Sequence, residues 1–538
     1  MTGPGDVTHS ARRWWALVAI AASVLVVGLD LTVLNLALPT MAVSLHANTG
    51  DLQWIVDSYS LVLAALILPA GLLGDRYGRK RLLLVSLVIF GAGSLACSYA
   101  SSVGELIAFR AILGIGAAAI FPLALSVLPV LFAPEERQKA VAAIAGSTML
   151  SFPVGPIVGG FLLNHFWWGS VFLINVPVVV IALFAVGLLM PESKSARRPS
   201  IDLAGLAVST AGLVALTYGF IKAGQDGWSD AAALGLIAAG AVVLASLPLV
   251  ERQIARRGGQ PLADLRLFGS TGFRWGTILA TVVSFAMFGI FFALPQYFQG
   301  VRGTDALGSG LRLLPMIGGM LVGMVAGTRL SGPRSAGRPA LAGPRILVTV
   351  GYLLMAAAMA LGALTALGSS TGYVLGWVAL SGLGLGLVMP SAMGVALGAL
   401  SAERSGAGSA LLTALRQVGS TVGVAVLGTV IGNSYGSGVA AAASRLPSAA
   451  AAAVRSSVGS GVAVAARAGS SSLLDTVRSS FVHGMDLMLW TCGGIAVAAA
   501  LLAVVALRSR GPQGAAGTGA GAEPGSGADT EAGSLPVR

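Results

Sequence analysis

Residues 14–41 read WWALVAIAASVLVVGLDLTVLNLALPTM. The run exceeds the roughly 20 apolar residues that an α-helix needs to cross a bilayer. It nevertheless carries Asp30 well inside, with Asn35 a turn and a residue further on. A carboxylate at bilayer depth costs roughly 2.5–3.5 kcal/mol even on the most lenient insertion scale. A helix does not need that residue to form, so Asp30 is expected to face a cavity or a partner helix, not lipid. It is either an acid that works in the function or a structural acid locked to a neighbour.

The same pattern recurs along the chain. Apolar runs of spanning length fall at about 14–38, 52–73, 82–100, 104–131, 139–162, 168–190, 203–222, 231–250, 273–298, 306–330, 346–367, 372–399, 407–433 and 482–507. They make fourteen candidate transmembrane helices, and the expected fold class is an all-α polytopic membrane protein. Only 10% of the 538 residues are charged and the mean hydropathy is +0.85, against roughly 25% charged in a soluble domain. The net charge of +12 is not a nucleic-acid signal, because the basic residues sit in short loops between apolar runs. Arginine outnumbers lysine and there are 74 glycines, a composition that suits a GC-rich bacterial genome. Cys97 and Cys492 both lie in apolar runs and are expected as free thiols. The first run is too long for the h-region of a cleavable signal.

Orientation follows from the loops. On the N-terminal side stand Arg12, Arg13, Arg76, Arg79, Lys80, Arg81, Arg137 and Lys139, with further arginines at 252–266, 329–345, 404 and 508–510. The short loops of the other side offer Arg302, with Lys222 at a helix edge. The positive-inside rule therefore puts both termini in the cytoplasm. The stretch 434–481 is rich in Ala, Ser and Gly and carries four arginines; it reads as an external loop with some helix or disorder. The tail after residue 507 has no apolar periodicity and reads as disordered.

Between the second and third runs stands Gly71-Leu-Leu-Gly74-Asp75-Arg76-Tyr77-Gly78-Arg79-Lys80-Arg81. Its glycines allow a tight turn and close helix approach. Asp75 can sit against a helix N-terminus or an arginine as a breakable latch. A plain basic loop accounts for the charges but not for the spacing, which resembles the loop signature of the major facilitator superfamily. Glu105-Leu-Ile-Ala-Phe-Arg110-Ala-Ile-Leu-Gly114-Ile-Gly116 resembles that superfamily's buried-arginine motif. Gly146, then Gly155-Pro156-Ile-Val-Gly159-Gly160, resembles its antiporter motif, with Ser151 where a glycine is usual. Leu29-Asp30-Leu-Thr32-Val-Leu-Asn35, Gln53-Trp54-Ile-Val-Asp57, Phe172-Leu-Ile-Asn175-Val-Pro177, Leu294-Pro295-Gln296-Tyr297-Phe298-Gln299 and Arg416-Gln417-Val-Gly419 look like the fourteen-helix drug:proton antiporters. An arginine usual before Phe172 is absent here, where Trp167-Trp168-Gly169 stands. The resemblance covers roughly residues 14–433 and the last run.

The resemblance implies two six-helix bundles related by a pseudo-two-fold axis along the membrane normal, around a central cavity. A cytoplasmic N-terminal tail would occupy 1–13 and the first bundle 14–190. Linkers and two extra helices would fill 191–272, the second bundle 273–507 with its external loop 434–481, and the tail 508–538. Asp30, Asp57 and Arg110 all fall about 9–12 Å below the outer ends of their helices at 1.5 Å per residue. Two carboxylates and one guanidinium at one level form a candidate proton-coupling cluster; Asp57 alternatively hydrogen-bonds locally near the interface. Gly71, Asp75, Arg76, Gly78 and Arg79 form the cytoplasmic gate motif. In the second bundle Arg312 is expected to snorkel, Asp486 to be solvated at the interface and Arg416 to tie helices together. Candidate walls of the substrate cavity are Asn35, Phe288, Phe292, Gln296 and Tyr297, together with Phe285, Met287 and Phe291 on the same run; core packing explains such a stripe as well.

No Walker lysine in a strand–helix context, no clustered nucleophile and no metal set occurs in the sequence. The expected protein is therefore no enzyme and carries no cofactor, and the energy source implied by the resemblance is the proton gradient. The expected function is proton-coupled efflux of a drug or antibiotic across the bacterial cytoplasmic membrane by a monomer working in the lipid bilayer. Exporters of aromatic polyketides such as tetracenomycin have this general build. Proton-coupled uptake of a nutrient is the alternative, against which the Gly-Pro antiporter motif argues.

Overall fold

The computed structural model describes residues 4–132, 134–193, 203–227, 229–256, 265–331, 343–400 and 405–507. Among them every element is helical. The first half holds α1 (Pro4–Ser44), α2 (Thr49–Tyr77), α3 (Arg79–Ser98), α4 (Val103–Leu131), α5 (Pro134–His165), α6 (Ser170–Leu173) and α7 (Asn175–Leu189). Then come α8 (Leu203–Asp226) and α9 (Ala231–Arg256). The second half holds α10 (Thr271–Gln296), α11 (Ala306–Ser331), α12 (Pro344–Gly362), α13 (Thr371–Gly398), α14 (Ser405–Ala443), α15 (Ser448–Ser456), α16 (Val458–Arg467) and α17 (Ser471–Ala506). A 3-10 turn (Leu265–Gly269) precedes α10 and a π-helical turn (Tyr297–Val301) follows it.

Polar residues set the helix starts. Asn48 and Asp51 exchange side-chain and backbone bonds of 2.9 Å, a capping box that begins α2. Ser102, Ser270, Ser370, Ser457 and Ser470 each accept from the amide three residues on, satisfying donors that no intrahelical carbonyl reaches. Between α2 and α3 the chain turns on Gly78 at φ +115°, a region open to glycine and strained for other residues.

Thirteen helices among the described residues are long and apolar enough to cross a membrane. The remaining expected run, 52–73, lies on the 29-residue α2. That helix includes Leu68, Leu72 and Asp75, whose side chains fall outside the described set. Two expectations change. The stretch 434–481, expected as a loop with some helix or disorder, is mostly helix: α14 continues to Ala443, α15 and α16 follow, and α17 begins at Ser471, eleven residues before the expected start of the last span. Beneath the Ala/Ser/Gly composition lies a helical register, with Tyr435, Val439 and Ala443 buried at four-residue spacing and Leu473, Val477 and Phe481 likewise. The sixth run breaks at Ile174 into α6 and α7. The tail 508–538 and parts of both linkers, 194–202 and 257–264, lie outside the described residues.

Packing repeats between the halves. In the first, α1 packs on α5 and α7, α2 on α4, and α3 on α4 and α7. In the second, α10 packs on α14 and α17, α11 on α13, and α12 on α13 and α17. Mapping α1, α2, α3, α4, α5 and α7 onto α10, α11, α12, α13, α14 and α17 reproduces every one of these pairs. The two seams between halves, α2 with α14 and α5 with α11, exchange under the same mapping. The architecture is thus two six-helix bundles related by a pseudo-two-fold axis. Each has its own apolar core, and Phe292, Ala414 and Val424 of the second half enter the core of the first. The inserted α8 and α9 pair with each other, and α8 lies over the α2–α14 seam.

Candidate functional site

Asp30 of α1 and Arg110 of α4 meet in the middle of the first bundle. Oδ2 of Asp30 lies 2.5 Å from Nη1 of Arg110, with side chains 1% and 0% exposed. The guanidinium also donates through Nε to the Ile55 carbonyl at 3.0 Å and stacks 4.3 Å from the Tyr59 ring centre. Behind the pair Asn175 donates to Ser94, which donates to the Phe172 carbonyl. Pairing is what lets two groups, each costly alone at this depth, sit among Leu, Ile and Phe. Among the described residues Asp30 Oδ1 and Arg110 Nη2 have no hydrogen-bond partner.

Asp57 does not join them. It is fully buried, and neither carboxyl oxygen has a hydrogen-bond partner among the described residues. It lies one turn after Gln53, whose side chain donates to Ala425 of α14 at 2.8 Å. One turn on, Leu61 packs with Leu213 of α8 and Val418 of α14. Asp57 therefore faces the seam of α2, α8 and α14. Shared depth brought the two acids to one level, but the helical rotation between Asp57 and Tyr59 points them to different faces of α2.

Between the halves a cavity of about 60 Å³ is lined by Leu31, Thr32 and Asn35 from α1, by Thr148, Ser151 and Phe152 from α5, and by Phe288 and Phe291 from α10. Asn35 donates to the Leu31 carbonyl and its Oδ1 is buried without a partner. Of the expected wall, Asn35 and Phe288 are there. Phe292 is packed into the core of the first bundle. Gln296 donates back to the Phe292 carbonyl at 2.9 Å, and Tyr297 is buried beside Phe298 past the end of α10. These three do not line the cavity, because the helix turns its 288–291 side to it and carries 296–297 beyond it.

Closure is one-sided. Call the end where α1 finishes and α17 begins the distal end. There Gln299 donates to Leu36 (2.8 Å), Asn164 to Asp305 (2.5 Å) and Thr49 to the Ser456 carbonyl (3.2 Å), each bond crossing between halves. The antiporter motif belongs to this closure. A Cβ on Gly159 would come within 2.7 Å of Val33 on α1, and one on Gly155 within 2.8 Å of Thr32 Cβ. One on Gly160 would meet the Leu307 backbone of α11 at 2.6 Å, and the Pro156 carbonyl abuts Gly310. Gly146 has no such neighbour. At the proximal end the bonds among the described residues stay within a half: Arg13 with Glu136 (2.9 Å), Arg12 with the Leu188 carbonyl (2.7 Å) and Lys80 with the Gly187 carbonyl (2.6 Å).

In the gate motif the Gly78 amide donates to Gly74, Arg76 lies over Tyr77 and the Arg79 amide donates to the Ser193 carbonyl. Gly71 has room, with Pro122 4.0 Å from a Cβ there, and the Asp75 side chain lies outside the described residues. Sequence reasoning missed Glu192. Its carboxylate accepts from the Lys80 and Arg81 amides at 3.1 and 3.2 Å and so caps α3. An acid just past the end of the sixth run, beside a basic turn, was the available signal.

The sequence profile of the Major Facilitator Superfamily matches residues 20–424. The chain belongs to that superfamily. Among superfamily relatives, the tetracenomycin C resistance and export protein of Streptomyces glaucescens is 34% identical over 441 residues, covering 80% of each chain. The probable actinorhodin transporter of Streptomyces coelicolor is 34% identical over 441 residues, covering 79% of this chain and 74% of its own. Among solved superfamily structures, a bacterial homologue of the human lysosomal transporter Spinster, inward-facing and occupied, matches with a TM-score of 0.68 at 16% identity. It covers 92% of this chain and 97% of that one. The fold is thus that of a membrane transporter of the superfamily, and its relatives include bacterial drug and antibiotic resistance exporters.

Proposed function

We propose that the protein exports a drug or antibiotic across the bacterial cytoplasmic membrane in exchange for protons, as a monomer with both termini in the cytoplasm. The observation that carries this reading is the buried Asp30–Arg110 pair, held beside the wall of the central cavity by α1. Asp30 sits two residues from Thr32, which lines the cavity and bonds to the Gly28 and Leu29 carbonyls and to Ser151 of α5. A guanidinium in contact favours a carboxylate, and a dry apolar wall favours the protonated acid. Movement of α1 against α4 exchanges those two environments, which would load and unload a proton as the halves rock. Asp57, buried and unpartnered in the α2–α8–α14 seam, is a second proton carrier in this reading.

The distal clasp supports alternating access. A cavity of about 60 Å³ holds about two waters at roughly 30 Å³ each, whereas a drug-sized ligand needs roughly 300 Å³ or more. The site must therefore widen from the proximal end to load. In liposomes carrying the purified protein, an imposed pH gradient should drive probe uptake, and Asp30→Asn should abolish that drive while the protein remains in the bilayer. Undiminished gradient-driven flux by Asp30→Asn would sink the assignment. Probe accumulation with the gradient, not against it, would favour uptake instead.

A further inference from the structure

The central path contains an arginine that the coupling reading does not use. Arg416 stands on α14 and is only partly buried. Its Nε donates to the Ser284 hydroxyl of α10 at 3.3 Å, and its Nη1 lies 3.5 Å from the Met393 sulfur of α13. No carboxylate pairs with it among the described residues. A tie between helices needs no charge, and a neutral amide would bridge a hydroxyl and a thioether at lower desolvation cost.

Its position relative to the cavity is fixed by α10. Ser284, Phe288 and Phe291 recur at four and three residues and share one side of that helix. Phe288 and Phe291 line the cavity. Ser284 lies one turn, about 6 Å, toward the proximal end, and Arg416 is bonded to it. The guanidinium thus lies about one helical turn to the proximal side of the cavity whose walls are Phe152, Phe288 and Phe291.

The acids of the same region are unavailable. Asp30 is committed to Arg110 with 1% of its side chain exposed. Asp57 is sealed in the seam, and Asp486 stands on α17, which packs on α10, α12 and α14. Among the described residues no carboxylate lines the cavity, and the one buried orphan there is an acceptor, Asn35 Oδ1.

We propose that Arg416 is a substrate-binding residue and that this site selects planar aromatic compounds bearing an ionised hydroxyl over lipophilic cations. The phenylalanines take the flat ring face, Asn35 Oδ1 accepts from a neutral hydroxyl, and Arg416 pairs with the phenolate oxygen through a charge-assisted bond. A permanent cation meets like charge with no acid to offset it, an arrangement that discriminates against the wrong partner.

The inference rests on the efflux reading and is tested apart from it. In cells lacking their main efflux pumps, the full chain is expressed and three probes are followed. They are alizarin (a dihydroxyanthraquinone that ionises), its dimethyl ether (the same skeleton without acidic hydroxyls) and ethidium. Membrane abundance is monitored by immunoblot. The expected result is export of alizarin, little export of ethidium, and at least a tenfold loss of alizarin export in Arg416→Gln. Dimethyl ether export should be kept in Arg416→Gln, and Arg416→Lys should recover most alizarin export. A structural role would lower both anthraquinones together, which overturns the proposal. So does robust ethidium export that Arg416→Gln leaves unchanged, although efflux itself then stands. If the abundant wild-type protein moves none of the three probes, the efflux reading and this inference fall together.

Discussion

Asp30 and Arg110 divide one structural cost between them. Each alone would leave a charge in an apolar bundle, and removal of one partner from such a pair typically costs about 3–5 kcal/mol. Arg110→Gln should therefore lower the thermal stability of the detergent-solubilised protein and its yield, as well as abolish transport. Asp30→Asn combined with Arg110→Gln should restore yield and thermal stability while transport stays absent. A double variant no more stable than Arg110→Gln, measured by a thermal shift assay, would mean that the pair does not carry the packing. Asp30 announced itself in the sequence because a carboxylate inside an apolar run has few explanations. Its partner stood in a motif resemblance and was grouped with it by depth, which places residues along the membrane normal but not around a helix axis. That is why Asp57 fell into the same group, whereas Arg416 does bridge α14 to Ser284 of α10 and Met393 of α13, as a tie between helices would.

At the scale of elements, α5 is the helix on which closure turns. Gly155 and Gly159 bring it against α1 inside the first half, and Gly160 brings it against α11 across the seam. Close approach of backbones at small residues is how helices associate without a hydrophobic gradient between them. Gly160→Ile should force α5 and α11 apart at the distal end, because the Leu307 backbone cannot yield as a flexible side chain would. With Gln299 replaced by cysteine as a reporter, a membrane-impermeant maleimide should label the Gly160→Ile protein several-fold faster than its parent; equal rates would show that the contact is dispensable for closure. Cys97 and Cys492 are buried and leave the background low. The helices α15 and α16 were the least legible elements. Ala, Ser and Gly carry little periodic contrast, so the buried register of Val454, Val458 and Ala465 was visible only once Tyr435 had been seen donating to the Val454 and Ser457 carbonyls.

For the whole molecule the distal clasp includes one titrating contact outside the spans. Asn164 donates to Asp305, and that bond, followed by the Gly308 amide, holds the Asp305 carboxyl below its usual range. A lowered value in the clasped state means that the contact is complete above the ordinary carboxylate range and is lost as the pH falls through the lowered value. Labelling of the Gln299→Cys reporter should accordingly speed up under strongly acidic conditions on the distal side, and Asp305→Ala should be fast at every pH. A pH-independent reporter in the parent would rule the contact out as part of the clasp. The bundle architecture itself was readable from run lengths and loop charges, since both follow from the bilayer as a solvent. The side of closure was not, because it depends on which end of the two seams, α2–α14 and α5–α11, is zipped.

Those seams are equivalent under the internal repeat, yet α8 covers only the one between α2 and α14. The repeat therefore predicts two lateral windows onto the hydrocarbon, and the inserted pair shutters one of them. In the proposed export cycle, a solute dissolved in the leaflet would approach the path past α5 and α11, the flank that no described helix covers. If the halves rock as proposed, the motion is handed for the same reason, with three helices in contact on one flank and two on the other.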